Sequence, residues 1–535
     1  MRRRAAVVAI VLGALAALAP SAGAKVLRVG TYKGVTGQYT SIQAAVNAAR
    51  PGDWILIAPG DYKTSKVLTP KGDPNAPAGV LITKRDLHIR GMNRRTVIVD
   101  GTRPGSAACS SKGSAQNFGL RGGSGGAYSS GSGSKAPSGV NGLMVYKAAN
   151  VSIENLTACN FLGGSRDAGN EIWWNGGDNS GKVGGHGFDG AYLTTTSTYL
   201  KSMSKAGEVS AAQYGVFSSN WSGGTWDEIY GSNMNDSGFY IGACQQVCDQ
   251  TLDHGWAEYN ALGYSGSNSG GRMLIENSQF DNNEDGFDTN SQNGDEPSPQ
   301  NGACPAGVKP PVKGAPSCWV FIHNYVHDNN NPNVPAAGSA AAGPVGTGMS
   351  ISGGRNDTVM DSRFINNDAW GVILVPYPDS GPPCTGGTPN FALLGQGSCL
   401  FDEWGDALIG NHFSHDGGFG NPSNGDFDEL NLESGNPTDC YRGNVGTGGG
   451  ALTSAAAALQ QASPTCDGSA APVNTGGAFL NEVFCDSMVD MSLCQPTDHY
   501  PRAKKIVMHK LPKLPTMPNP CVGVPSNPWC STKKH

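Results

Sequence analysis

The sequence predicts an all-β fold, a parallel β-helix in which short strands pile coil upon coil. Three observations carry that prediction. The first is one phrase, a glycine followed by four apolar or mixed residues. It reads GVFSS from Gly215, GFYIG from Gly238, GYSGS from Gly263 and GFDTN from Gly286, at intervals of 23, 25 and 23 residues. The same phrase stands at Gly142 (GLMVY), Gly190 (GAYLT), Gly348 (GMSIS) and Gly371 (GVILV). A fixed period of roughly 20 to 30 residues with one strand signal per period marks a solenoid, whose units bury their apolar faces only against their neighbours. The second is composition: 77 glycines and 15% charged residues, with turns rich in Gly, Asn, Ser and Asp, fit a turn-dense β protein rather than a helical repeat. The third is a polar column. Asn235, Asn260 and Asn283 stand three residues before the repeat glycine, as Asp368 stands before Gly371. Coils lie ~4.8 Å apart, so such side chains can bond to one another up the stack, although turn propensity accounts for them equally well.

The first 24 residues read as a secretory leader. Arg2, Arg3 and Arg4 precede an apolar run over residues 5–19, and Ala22, Gly23 and Ala24 form a small-residue cleavage site. The run is too short for a membrane span, so a secreted, monomeric protein is expected. Losing three arginines moves the formal net charge from −6 to −9, which makes nucleic acid a poor partner. Fourteen cysteines, an even number in an oxidising compartment, are expected to pair. Short-range pairs are Cys244 with Cys248, Cys304 with Cys318, Cys384 with Cys399, Cys485 with Cys494, and Cys521 with Cys530. Zinc at Cys244 and Cys248 is the alternative, and no His/Cys pair at ligand spacing supports it.

After the leader, Ile42, Ala45, Val46 and Ala49 form an i, i+3, i+4, i+7 stripe with Thr40 or Ser41 as N-cap, which predicts one amphipathic helix over the open end of the first coil. Strands are expected at residues 54–57, 80–82, 87–89, 97–99 and 151–153, with the last coils at 407–413 and 429–432. Residues 102–139, 161–190, 291–318 and 329–347 read as insertions, the first as a mobile surface loop. Residues 25–440 are thus expected to be one β-helix domain. Residues 441–535 are expected to be a C-terminal capping extension, helical over 451–462 and irregular from Tyr500.

The entry segment YTSIQAAVNAARPGDWILIAPGDYK, residues 39–63, resembles that of the pectate-lyase-like superfamily of right-handed parallel β-helices, and the phrases at 275–287 and 360–374 resemble its coil repeats. The likeness covers roughly residues 25–440. It implies the right-handed fold and an N-terminal capping helix. It does not settle function, since the superfamily holds lyases, hydrolases, esterases, epimerases and non-catalytic binders. The polygalacturonase Asn-Thr-Asp phrase is reversed here as Asp288-Thr289-Asn290, and Asp253-His254 echoes only part of a pectate-lyase strand.

Side chains alternate across a strand, so the second and fourth residues after each glycine are expected to face outward. Tyr192, Phe217 and Tyr240 then form an outward strip for stacking sugar rings, with Asp288 and Asn290 beside it, unless an inserted loop such as that of Trp173 and Trp174 covers them. Asp285 and Asp288, three residues apart, allow a carboxyl gap of ~6.5–9.5 Å, that of an inverting glycosidase pair. With Glu284 they also make an oxygen-rich set suited to Ca²⁺; the resemblance allows calcium-assisted lyase chemistry with Lys201, Arg272 or His186 as proton acceptor or charge stabiliser. The expectation is a carbohydrate-active protein, a polysaccharide lyase or glycoside hydrolase acting on a uronate-containing polysaccharide. A non-catalytic extracellular binding or adhesion protein is the alternative.

Overall fold

The computed structural model describes residues 23–64, 66–117, 138–164, 166–178, 180, 182–200, 211–293, 299–391, 395–432, 435–467, 477–488 and 490–530. The leader up to residue 22, most of the 102–139 loop and Lys201 lie outside the described residues. Among the described residues no helix is long and apolar enough to cross a membrane.

Three parallel ladders wrap one core. The first is a ten-stranded sheet made of Ala78–Ile82, Asn141–Tyr146, Asn170–Asn175, Tyr214–Ser219, Ser237–Gly242, Leu262–Ser267, Asp285–Asn290, Thr347–Ser352, Trp370–Val375 and Gly425–Glu429, each bonded only to its neighbours. The other two ladders run through strands such as Gln250–Asp253 and Trp256–Glu258, and they merge where Val151–Cys159 and Phe188–Thr196 continue unbroken from one face to the next. Single left-handed residues make the bend between these two faces: Glu228, His254, Asn277, His323 and Asp361 occupy it in successive coils.

The repeat glycine is a packing requirement. A Cβ on Gly263 would lie 2.3 Å from the carbonyl oxygen of Gly286, and one on Gly286 would lie 2.4 Å from that of Gly348. The coils therefore touch backbone to backbone here, and a side chain at Gly263 or Gly286 would not fit. Inward residues of the phrase fill the core: Val216, Phe239, Tyr264, Phe287, Met349 and Val372 are fully buried.

Three features of the repeat differ from the sequence-based expectation. Residues 161–190 do not form a single insertion, because Asn170–Asn175 is a coil strand, pairing Ile172 with Leu143 and Val216. Its signature is hidden because Glu171 replaces the glycine. Conversely, the GAYLT phrase at Gly190 is out of register: Ala191 pairs with Asp227 on another face, and Tyr192 occupies the left-handed bend. The last strand of the ten-stranded sheet, Gly425–Glu429, also starts earlier than expected.

The polar column exists, shifted by one residue at its ends. Asn260 Nδ2 donates to Asn283 Oδ1 at 3.1 Å, Asn283 to Asn329 at 3.0 Å, Asn329 to Asn367 at 3.1 Å and Asn367 to Asp416 at 3.0 Å. Asn367, not Asp368, holds the upper place. Below, the backbone N–H of Met234 donates to Asn260, so Asn235 stands one residue off the column. Each amide satisfies its neighbour within a dry turn, which an apolar group would not do.

The N-terminal helix is Ile42–Ala48, capped by Ser41, whose Oγ accepts from the N–H of Ala44. At the other end Ala456–Ala462 packs Leu459 into the core, and Gln460 Oε1 accepts from Asn444. All five expected disulfides form, joined by Cys109–Cys159, which ties the start of the 102–139 loop to a coil, and Cys440–Cys466. The tail is irregular but docked. It runs back along the coils, where Asn233 takes the N–H of His509, Asn155 that of Met517, and Arg90 donates to the carbonyl of Val522.

Candidate functional site

The outer face of the ten-stranded sheet carries a register-locked column: Met144, Trp173, Phe217, Tyr240, Ser265, Asp288, Ser350 and Ile373 lie side by side on successive strands. Its lower half is aromatic. Trp173 stacks on Phe217 at 5.0 Å between ring centroids, and Phe217 meets Tyr240 edge-on at 4.8 Å. Trp173, Phe217 and Tyr240 are 6%, 8% and 5% exposed, so this strip is a packed wall rather than an open stacking platform. Trp173 is a member of the stack and not part of a covering loop.

Above the aromatics a cavity of about 350 Å³ opens. Its floor is Asp285, Asp288, Asn290, Ser265, Ser350 and Ser352; Tyr214, Asp236 and Tyr240 close one end, and Tyr377 the other. Helix Gly477–Asp486 folds back from the C-terminal extension and sets Leu480, Val483 and Phe484 against it.

Three carboxyl groups face this space. Ser350 Oγ lies 2.8 Å from Asp285 Oδ2 and 2.9 Å from Asp288 Oδ1. A hydroxyl has one proton to give, so the arrangement closes when Asp285 is protonated and donates to Ser350, which in turn donates to Asp288. Burial first, and the charge of Asp288 second, push Asp285 well above the usual carboxylate range. Asp288 is raised by burial too, but Asn290, Ser350 and Ser352 hydrogen-bond its ionised form and oppose the rise. Asp236 is pushed up to about 7, mainly by burial, against hydrogen bonds from Tyr214 and Gln213. Carboxyl groups held at different proton affinities are what acid–base chemistry requires.

The sequence-predicted residues divide. Asp285, Asp288, Asn290 and Tyr240 line the cavity, and Phe217 packs directly behind Tyr240. Tyr192 does not, because it sits at a bend between the other two faces. His186 is exposed on a two-residue strand paired with Ser222, and Arg272 is exposed beside Asp249, so neither reaches the cavity. Glu284 is buried next to Asp285, but the described acid, His and Cys groups whose donor atoms converge within 4.8 Å include none of Glu284, Asp285 and Asp288. The facing oxygens of Asp285 and Asp288 can be no farther apart than their two distances to Ser350 laid end to end, closer than the expected gap. Asp236, two residues before Gly238, is level with Glu284 rather than Asp285 in the stack, and no repeat position marks it in the sequence. Tyr377 and the C-terminal helix carry no repeat signature at all.

No protein-family model matches the chain, and no curated protein does. Solved structures do. The A-module of a mannuronan C-5 epimerase from Azotobacter vinelandii aligns over 76% of this chain and 92% of its own, at 11% identity and a TM-score of 0.42. The chain has a right-handed parallel β-helix fold. A family 28 exopolygalacturonase from Yersinia enterocolitica covers 79% of this chain and 76% of its own at 12% identity and TM-score 0.41, and a pectate lyase 80% and 77% at 14% and 0.38.

Proposed function

We propose that the protein is a glycoside hydrolase acting on an extracellular polysaccharide at the Asp236–Asp285–Asp288 cavity. The observation that carries this reading is the convergence of three carboxyl groups of unequal proton affinity in one concave site walled by Tyr214, Tyr240 and Tyr377. Asp236 precedes a strand two coils away from that of Asp285, ~10 Å along the stack, which leaves room for a sugar ring between the carboxyls. Asp236, still protonated near neutrality, gives its proton to the glycosidic oxygen. Asp288, whose ionised form its three donors favour, takes a proton from the water that attacks the anomeric carbon. Asp285 and Ser350 hold Asp288 in place and tune its charge.

Among the described lining residues there is no Lys, Arg or His. A neutral glycan is therefore favoured over a uronate, whose carboxylate would need a cation; calcium between Asp285 and Asp288 is the route by which a uronate would be accepted. Incubation with neutral and uronate polysaccharides, with and without chelator, decides. New reducing ends from a neutral glycan, indifferent to chelator and lost in Asp288→Asn, are expected. Unsaturated products that vanish with chelator would replace hydrolysis by calcium-assisted elimination. Binding without turnover would favour a non-catalytic receptor.

A further inference from the structure

At the C-terminal end of the β-helix, away from the cavity, a second set of carboxyl groups is sealed inside the coils. Asp357, Asp406 and Asp439 occupy equivalent places at the start of three successive strands. The N–H of Asp357 donates to Asp406 Oδ1, and the N–H of Asp406 to Asp439 Oδ1, both at 2.6 Å. One oxygen each of Asp406 and Asp439 is thus spent on the N–H of the coil below. Glu403, at the root of the insertion closed by Cys384–Cys399, turns its side chain into the same place. Donor oxygens of Glu403, Asp406 and Asp439 lie within 4.8 Å of one another, and these residues are 0%, 1% and 1% exposed.

The remaining oxygens are what make this cluster more than a group of acids. Both oxygens of Glu403, Oδ2 of Asp406 and Oδ2 of Asp439 are buried with no hydrogen-bond partner. A proton shared between Glu403 and Asp439 would satisfy one pair of these oxygens and no more; packing the rest together in a dry core is costly for neutral acids and prohibitive for ions, unless a cation sits among them. Four hard oxygen donors, with no nitrogen or thiolate among them, exclude a zinc-like site and suit Ca²⁺ better than Mg²⁺, which keeps its own waters. We propose that Glu403, Asp406 and Asp439 form a structural Ca²⁺ site that staples the insertion at 376–403 to the last two coils. The insertion supplies Tyr377 to the cavity, so the ion also fixes one cavity wall.

The test uses the full-length, disulfide-intact protein stripped with EDTA and titrated with CaCl₂. One Ca²⁺ per chain is expected by calorimetry, with a rise in Tm of about 5 °C at a hundredfold excess over Kd. Glu403→Gln, which mimics the protonated acid and keeps its shape, should fold and weaken binding at least tenfold, while Asp288→Asn keeps both the stoichiometry and the Tm rise. If Glu403→Gln does not fold, Asp439→Asn serves the same comparison. No Ca²⁺ bound to the stripped protein, or a response kept in Glu403→Gln and lost in Asp288→Asn, would overturn the site.

Discussion

Ser350 is the residue on which the chemistry of the cavity turns, because its single proton is set between two carboxyl groups and can satisfy only one. Replacing it with alanine removes a hydrogen bond that favours the ionised form of Asp285 and of Asp288 alike, so the pH profile of turnover should shift while the fold persists. Asp236 governs the alkaline side. As general acid it must carry its proton, so activity should fall as pH rises through about 7. The same shift has a sign for stability: between about pH 4 and 7 the unfolded chain gives up this proton while the folded one keeps it, so stability declines across that window and levels off above it. Asp236→Asn should flatten both trends and cost 10²- to 10⁴-fold in kcat, as should Asp288→Asn, measured by reducing-end release. Asp285 and Asp288 were legible in the sequence because they fall in and beside a repeat phrase. Asp236 was not singled out, since one acid among many turn acids has no mark until the coils bring it across from Asp288.

Glycine stacks and asparagine ladders hold the elements together, and they fail differently. Gly263→Ala sets a methyl group 2.3 Å from the Gly286 carbonyl, against backbone that cannot move without parting two coils. A loss of about 1–3 kcal/mol in urea unfolding is expected, with the defect centred on the cavity side. Asn283→Ala leaves the steric fit intact but takes the acceptor from the backbone N–H of Asn260 and one partner each from the side-chain amides of Asn260 and Asn329, at a similar cost of about 1–3 kcal/mol and with faster amide exchange at the far corner. The N-terminal helix, its cap and the strand Trp54–Ile57 follow the expected pattern because each is set by local periodicity and capping. The strand Asn170–Asn175 was hidden by Glu171, whose carboxyl accepts from the N–H of Phe161 and so fits where other coils carry glycine. Tyr192 misled for the opposite reason: its phrase has the right letters at a bend.

Across the whole molecule, the C-terminal extension does more than close the last coil. Its helix Gly477–Asp486 walls the cavity, and its tail straps earlier coils, with Arg94 bonded to the carbonyl of Leu193 and to that of Pro515, and Trp529 bonded through Nε1 to Val35. Truncation after residue 502 should therefore lower Tm by roughly 5 °C or more while leaving turnover measurable. Phe484→Ala should instead raise KM with little change in Tm. The opposite outcomes would mean that the helix serves stability and the strap the substrate.

What the sequence determined by itself was the solenoid, because its period, glycines, capping helix and short-range cysteines are local signals that each coil repeats. The tertiary structure alone decided which acids meet, which aromatics are walled in and what covers the cavity. Register between coils and the return of a chain end from some two hundred residues away are long-range facts, and no single period of the repeat contains them.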